Sequence, residues 1–322
     1  MKMEAEERRI MVSVIVCTYN QERWIRQTLD SILSQQTDYP YEVVIGEDMG
    51  TDGTRAICEE YVLRNDNVKL APQDRNLGVT ANLINCIKHS SGKYIMACGG
   101  DDYWHNPNKI QIQVDFMELH PECVLCHTDF NQLNIFTGVL KKNCQKRHGI
   151  HPPEGRIQMV ILKGNSHIAS VTTCYRRDCY EKHVPMDKFV ELGFPREDWP
   201  AWLIMSAYGD ICYIPESTAT YRVGQESITR KSDYEGIRRQ YQEEKKMAEF
   251  LYSLFPEWGE CVCVDNDDDD YMWHQLLLAA YRNGDYVSAC EFAKHDKSKS
   301  KARYMVRTKL TFKLYRVFLM RR

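Results

Sequence analysis

The run VSVIV, Val12 to Val16, limits the folds open to this chain more than any other segment. Only Ser13 is polar, so a strand built from it has no face to offer water and must be covered on both sides. Helix-period segments then alternate with further apolar runs. Ile25, Leu29, Ile32 and Leu33 mark a first helix, YEVVIGED a second strand, and MGTDGT a turn into a helix through about Leu63. NVKLA reads as a short third strand and PQDRNLG as a loop. Val79, Leu83, Ile84 and Ile87 mark a third helix, and KYIMACG a fourth strand. Asn20 is expected to cap the first helix and Asp52 the second. This alternation predicts an α/β fold, a mostly parallel Rossmann-like sheet with right-handed crossovers and helices on its faces.

Ligands of such sheets lie beyond the carboxyl ends of the strands. The groups that follow the four strands are Thr18, Tyr19 and Asn20; Glu47 and Asp48; Arg75 and Asn76; Asp101 and Asp102. Topology alone brings them to one rim. Clustered carboxylates are costly unless a cation joins them. Mg²⁺ or Mn²⁺, hard ions that take oxygen ligands and substrate phosphates, suit Asp101 and Asp102. The competing reading is a capped turn before NPNK. Gly99 and Gly100 stand just before the pair, and their missing side chains would admit a bulky ligand close to the backbone. Neither common nucleotide motif is present, since CTYNQER follows the first strand without G-x-G-x-x-G and no P-loop occurs.

At 322 residues the chain suits one large domain plus an appendage. Its net charge of -3 argues against a polyanion binder. MKMEAEERRI lacks the apolar centre of a secretory signal, and no run is long enough to span a bilayer as a helix. A cytoplasmic setting with reduced thiols is therefore expected for the thirteen cysteines. CVLCH, Cys123 to His127, matches a haem attachment pattern, but an apolar strand that carries cysteines is the simpler reading. CVC at Cys261 to Cys263 lacks the second pair of a zinc site.

Four segments, in this order, resemble one family: VSVIVCTYNQERWIRQTLDSILSQQ, YEVVIGEDMGTDGT, RNLGVTANLINCIKHSSGKYIMACGGDDYW and REDWPAWLIMSAYGD. Together they look like a family 2 glycosyltransferase of the GT-A fold, of the bacterial surface-polysaccharide type, over roughly residues 11 to 230. The resemblance implies an enzyme that moves a sugar from a nucleotide diphosphate, UDP being the commonest carrier, with inversion. The acceptor would be a hydroxyl of a glycan or a lipid-linked acceptor. By position, Thr18, Tyr19, Asn20 and Glu22 fall in the nucleotide-binding turn. Glu47 and Asp48 fall on the acidic pair that meets base and ribose, and Asn76 and Gly78 in the next nucleotide-side loop. Asp101, after Gly100, falls on the metal aspartate, with Asp102 beside it. Asp198 falls on the general base. Arg222, in YRVGQESIT, lies near the diphosphate in relatives; a surface arginine is the other reading. Glu197 is expected to raise the pKa of Asp198 by like charge. GNSHIAS falls on the acceptor side, and His167 within it reads as structural.

The chain departs from the family at Gly99, where relatives usually carry an acid, and at EDMGTDGT, where they often read DDGSTDGT. A relaxed metal dependence, or a catalytically silent sugar-nucleotide binding module, stays open on that ground.

Residues 1–232 are expected to form the transferase domain and 233–322 a small helical region. YEGIRRQYQEEKKMAEFLYSLF reads as a long charged helix. DNDDDD reads as a solvated loop without the EF-hand glycine and glutamate. A helical hairpin should turn at Asn283-Gly284. The last stretch mixes basic residues with aromatic and aliphatic ones. It predicts peripheral contact with an anionic membrane at its inner face. A helix packed on the catalytic domain is the alternative. Nucleic acid is disfavoured, for no base-reading motif is present.

Overall fold

The computed structural model describes residues 9–147, 154–155, 168–224, 233–256, 270–298 and 300–320. The chain divides into two compact units, Met1–Gln225 and Glu226–Arg322.

In the first unit, β1 (Val12–Thr18) is the central strand of a parallel block. It pairs in parallel with β2 (Tyr41–Glu47) on one side and β4 (Tyr94–Gly99) on the other. β3 (Val68–Leu70) extends the block beyond β2. The crossovers are α1 (Ile25–Leu33), α2 (Thr54–Arg64) and α3 (Val79–Lys88). Ile25, Leu29 and Ile32 of α1 are fully buried with Val12, Val14 and Val16. Ser13, the polar member of the first run, donates to Glu42 Oε1 at 2.8 Å and accepts from the Gly92 N–H, so burial leaves it satisfied.

Past β4 come β5 (Tyr103–Trp104), α4 (Lys109–Leu119), β6 (Cys123–Asn134), β7 (Leu140–Lys141) and α5 (Cys144–Arg147). A 3₁₀ turn at Ser170–Thr172 leads into β8 (Thr173–Arg176). Then follow α6 (Arg177–His183), α7 (Met186–Glu191), α8 (Asp198–Ser206) and β9 (Asp210–Val223). The sheet order is β3-β2-β1-β4-β8-β6-β9-β5, with β7 on β6. β8 is antiparallel to both β4 and β6, and β5 to β9. The longest pairings, β1 with β2 and β6 with β9, are parallel.

This topology positions the site. Because β8 runs against β4, its start and the Ser170 turn lie beside the end of β4. β9 ends where β5 begins, next to the same segment.

One local expectation gives way to tertiary contacts, and one is met. Asn20 does not cap α1, which starts at Ile25; its φ is 53° and its side chain serves the β2 turn. CVLCH opens β6, where Cys123, Cys126 and His127 are fully buried, so the haem pattern is an interior strand.

The second unit is helical: α9 (Tyr234–Leu254), α10 (Asp270–Asn283), α11 (Tyr286–His295), α12 (Lys301–Met305) and α13 (Lys309–Met320). The hairpin turns at Gly284, whose φ of 73° suits glycine, and the Asp285 carboxylate caps α11 by accepting from the Ser288 N–H at 3.0 Å. Its core gathers Leu276, Leu277, Tyr281, Phe292 and Phe312. His167, the CVC run and most of DNDDDD lie outside the described residues.

Candidate active site

The turns after β1 and β2 are tied to each other. Asn20 Oδ1 accepts from the Thr51 N–H at 2.7 Å, and Glu22 Oε2 from the Gly53 N–H at 2.9 Å. The Gln21 N–H donates to Thr54 Oγ1 at 2.8 Å, and Thr18 Oγ1 to Gln21 Oε1 at 2.8 Å. Asn20 and Met49, at φ 53° and 57°, hold the left-handed conformation that these tight turns require. Tyr19 is left about half-exposed on the outer side. Glu47 is buried; Oε1 accepts from the Gly50 N–H at 2.7 Å, and Oε2 lies 3.8 Å from Arg55 Nη1.

Asp48 organises the next loop. Its carboxylate accepts from the N–H groups of Leu77 and Gly78, at 2.7 and 2.9 Å, and from Gln73 Nε2 at 3.0 Å. The Asn76 amide donates to the Asp48 carbonyl at 2.8 Å. Gly78 sits at φ 78° with open space on its side-chain side. Asn20, Glu22, Asp48 and Asn76 thus shape the rim through backbone bonds, while Tyr19 and Gly78 present surface.

The third turn holds the acid pair. Gly100 lies so close to Thr18 and Gln21 that a methyl there would collide with both side chains. This packing against the first turn calls for a glycine there. Thr28 Oγ1 donates to the carbonyls of Gly100 and Asp102, at 2.9 and 2.6 Å. Asp102 is buried and accepts from the Arg222 N–H at 2.8 Å. Asp101 is less enclosed. Burial pushes both carboxyls up, Asp102 strongly and with help from the Asp101 charge.

Arg222 is not a surface arginine. It is 3% exposed. Its guanidinium lies between the rings of Trp24 and Tyr103, 4.6 and 4.7 Å from their centroids. It donates to the Asp101 carbonyl and to Gln27 Oε1. Arg222 is therefore a clamp behind the acid pair, and its charge partly offsets theirs.

Metal fit rests on Gly99. A methyl there would lie 2.8 Å from Asp101 Oδ1 and 3.7 Å from Asp102 Oδ2, so the two carboxylates face a common space. Among the described residues no group of three or more His, Cys, Asp or Glu side chains forms a metal cage. Two hard oxygen donors with the remaining positions left to a ligand fit Mg²⁺ or Mn²⁺ bound through substrate phosphates.

The second acid pair opens α8. Asp198 Oδ2 accepts from Ser170 Oγ at 2.8 Å, and Oδ1 from the Trp199 N–H at 2.6 Å, so both oxygens are oriented. Glu197 is buried behind it. Burial first, and the Asp198 charge second, push the Glu197 carboxyl up to about 8. A partly open pocket of about 20 Å³ beside the pair is lined in part by Ser170, Tyr175, Tyr180, Glu197 and Asp198. The buried Tyr180 hydroxyl beside it has no hydrogen-bond partner among the described residues.

Reading the sequence alone missed Gln21, Gln27, Trp24, Tyr103, Gln73 and Ser170. Each supports a predicted residue, and for Gln27, Trp24, Tyr103, Gln73 and Ser170 that residue lies in a distant segment.

Comparison with known proteins bears on the family and the fold. The family model Glycosyl transferase family 2 matches residues 13–184. An uncharacterized protein of Mycobacterium tuberculosis is 30% identical over 214 residues, 66% of this chain and 58% of that protein. The chain thus spans less than two thirds of that relative's length. A protein of Bacillus subtilis named as a teichuronic acid biosynthesis glycosyltransferase, TuaG, is 27% identical over 68% of this chain and 81% of its own. Among solved structures, a mannosyltransferase of Pyrobaculum calidifontis, in complex with GDP-Man and Mn²⁺, aligns with a TM-score of 0.57 at 16% identity. That alignment covers 97% of this chain and 83% of the other, and it shows a shared fold.

Proposed function

The chain belongs to glycosyl transferase family 2, and from that premise we propose that it transfers a sugar from a nucleotide diphosphate to an acceptor hydroxyl in polysaccharide assembly. The observation that carries the reading is the meeting, at one end of the sheet, of the donor-side turns with two acid pairs. The donor is a UDP-sugar, the commonest kind in the family. The acceptor is a glycan or lipid-linked hydroxyl, reached by a peripheral protein at the inner face of a membrane.

Asp198 takes the proton from the attacking hydroxyl. The Ser170 hydroxyl and the Trp199 N–H hold its two oxygens, so one carboxylate orientation meets the acceptor. Attack opposite the leaving diphosphate inverts the anomeric centre, and one base suffices because no enzyme nucleophile is involved. A bound Mg²⁺ or Mn²⁺, held by Asp101 with Asp102 behind it, would offset the charge on the leaving diphosphate. Arg222 keeps the Asp101 backbone and the Asp102 carboxylate in place. The turns carrying Thr18, Tyr19, Asn20, Glu47, Asp48 and Gly78 receive the nucleotide.

A panel of UDP-sugars with Mn²⁺, read for thermal stabilisation and for release of UDP with and without excess chelator, tests this reading. Stabilisation together with chelator-sensitive release is expected. Stabilisation without release for any donor would favour the silent binding module that Gly99 suggests. Release that is equal in chelator would remove the metal from the scheme.

A further inference from the structure

We propose that α13 is a membrane-docking helix that lays one apolar face on an anionic lipid surface. The helix has two apolar faces. Phe312 and Tyr315 pack on Tyr281, with ring centroids 4.6 and 5.0 Å away, and Leu319 follows on the same side. That face is spent on the core of the second unit. Leu310, Leu314 and Val317 recur at the spacing of a single helical stripe on the opposite side. They are 68%, 60% and 51% exposed, and Phe318 stands half-exposed at the stripe's edge.

Charge selects the occupant. From Lys297 to Arg322 the chain has ten lysines and arginines and no acid. Lys301, Arg307, Lys309, Lys313 and Arg316 are exposed around the helix and its approach. A second copy of this face would bring like charges together across a two-fold axis. An anionic lipid surface takes both features at once, with cations at the headgroups and aliphatic side chains at the acyl boundary. The helix has 12 residues, about 18 Å. Among the described residues no helix is long and apolar enough to cross a membrane, so α13 lies in the plane. Arg316 reaches the Arg282 carbonyl at 3.4 Å, which ties the docked helix to the hairpin turn.

The inference deepens the acceptor side of the reading above, and its test does not depend on turnover. The full chain is floated with vesicles of equal parts phosphatidylglycerol and phosphatidylcholine, or of phosphatidylcholine alone. The wild type should float with the first and stay down with the second. The Leu314→Glu/Val317→Glu variant, with unchanged circular dichroism and unchanged stabilisation by donor, should lose about tenfold in bound fraction. Flotation without sugar transfer would support the surface even if the transferase reading failed. A wild type that ignores phosphatidylglycerol, or a variant that floats equally, would overturn it. So would a wild-type dimer in solution that the variant makes monomeric, since the stripe would then belong to a second copy.

Discussion

Asp101–Asp102 and Glu197–Asp198 are both adjacent acid pairs at the same end of the sheet, yet they are built in opposite ways. The first has a cation behind it: Arg222 holds the Asp101 carbonyl and gives its N–H to Asp102. In the second, the inner member, Glu197, is pushed toward the protonated form by burial and by the Asp198 charge, as Asp102 is by burial and the Asp101 charge. Outer members differ as well. Asp101 shares an open space at Gly99 with its neighbour, whereas Asp198 is oriented by a hydroxyl and an N–H. Two carboxylates together can thus be arranged to hold a positive ligand or to carry one negative charge at a fixed angle. What stands behind the pair decides which.

The largest effect should separate the outer acids. Asp198→Asn keeps the size and the Ser170 contact but not the base, and turnover should fall about a thousandfold with donor affinity unchanged. Titration calorimetry beside a rate assay checks both; retained turnover would remove Asp198 from the chemistry. Asp101→Ala should do the reverse, weakening donor binding in Mn²⁺ by about tenfold or more, roughly 1.4 kcal/mol. Equal affinity of variant and wild type in Mn²⁺ would break the contrast. Gly100→Ala pushes a methyl into Thr18 and Gln21, and should cost about 1–3 kcal/mol in urea unfolding.

The last contrast concerns Glu197 and pH. Its folded carboxyl titrates at about 8, against an ordinary value of 4.5. As pH rises through that window the unfolded chain sheds its proton first. The contribution of Glu197 to stability is therefore full below about 4.5 and lost by about 8. Glu197→Gln should flatten that fall, as measured by unfolding at about pH 5 and about pH 8. An unchanged pH slope would show that Glu197 is ionised in the folded protein.

Much of the parallel block was legible, because its signals are local. VSVIV, YEVVIG and KYIMACG are apolar and β-branched runs, and α1 and α3 show the helical period. Asp101 and Asp102 were legible as rim residues because any residue just past a strand of this block reaches the rim. The antiparallel insertion of β8 was not, since TCYR is four residues long and half polar. Asn20 was misread for the same reason in reverse: its local preference is to cap a helix, but Thr51, distant in sequence, offers it a turn bond. Lys109 reads as a surface charge and is fully buried, over the Trp104 ring and 3.2 Å from the Thr172 carbonyl.

Local covalent facts, which the sequence holds in full, determined the alternation of strands and helices in the first block, the acids at its rim and the basic, apolar tail. Only the tertiary structure decided that Arg222 lies behind the acids between Trp24 and Tyr103. It also decided that Ser170 meets Asp198, and that α13 turns Phe312 inward and Leu314 outward. Each of these depends on which distant segments exclude water together, and burial of that kind is a property of the assembled chain, not of any stretch of it.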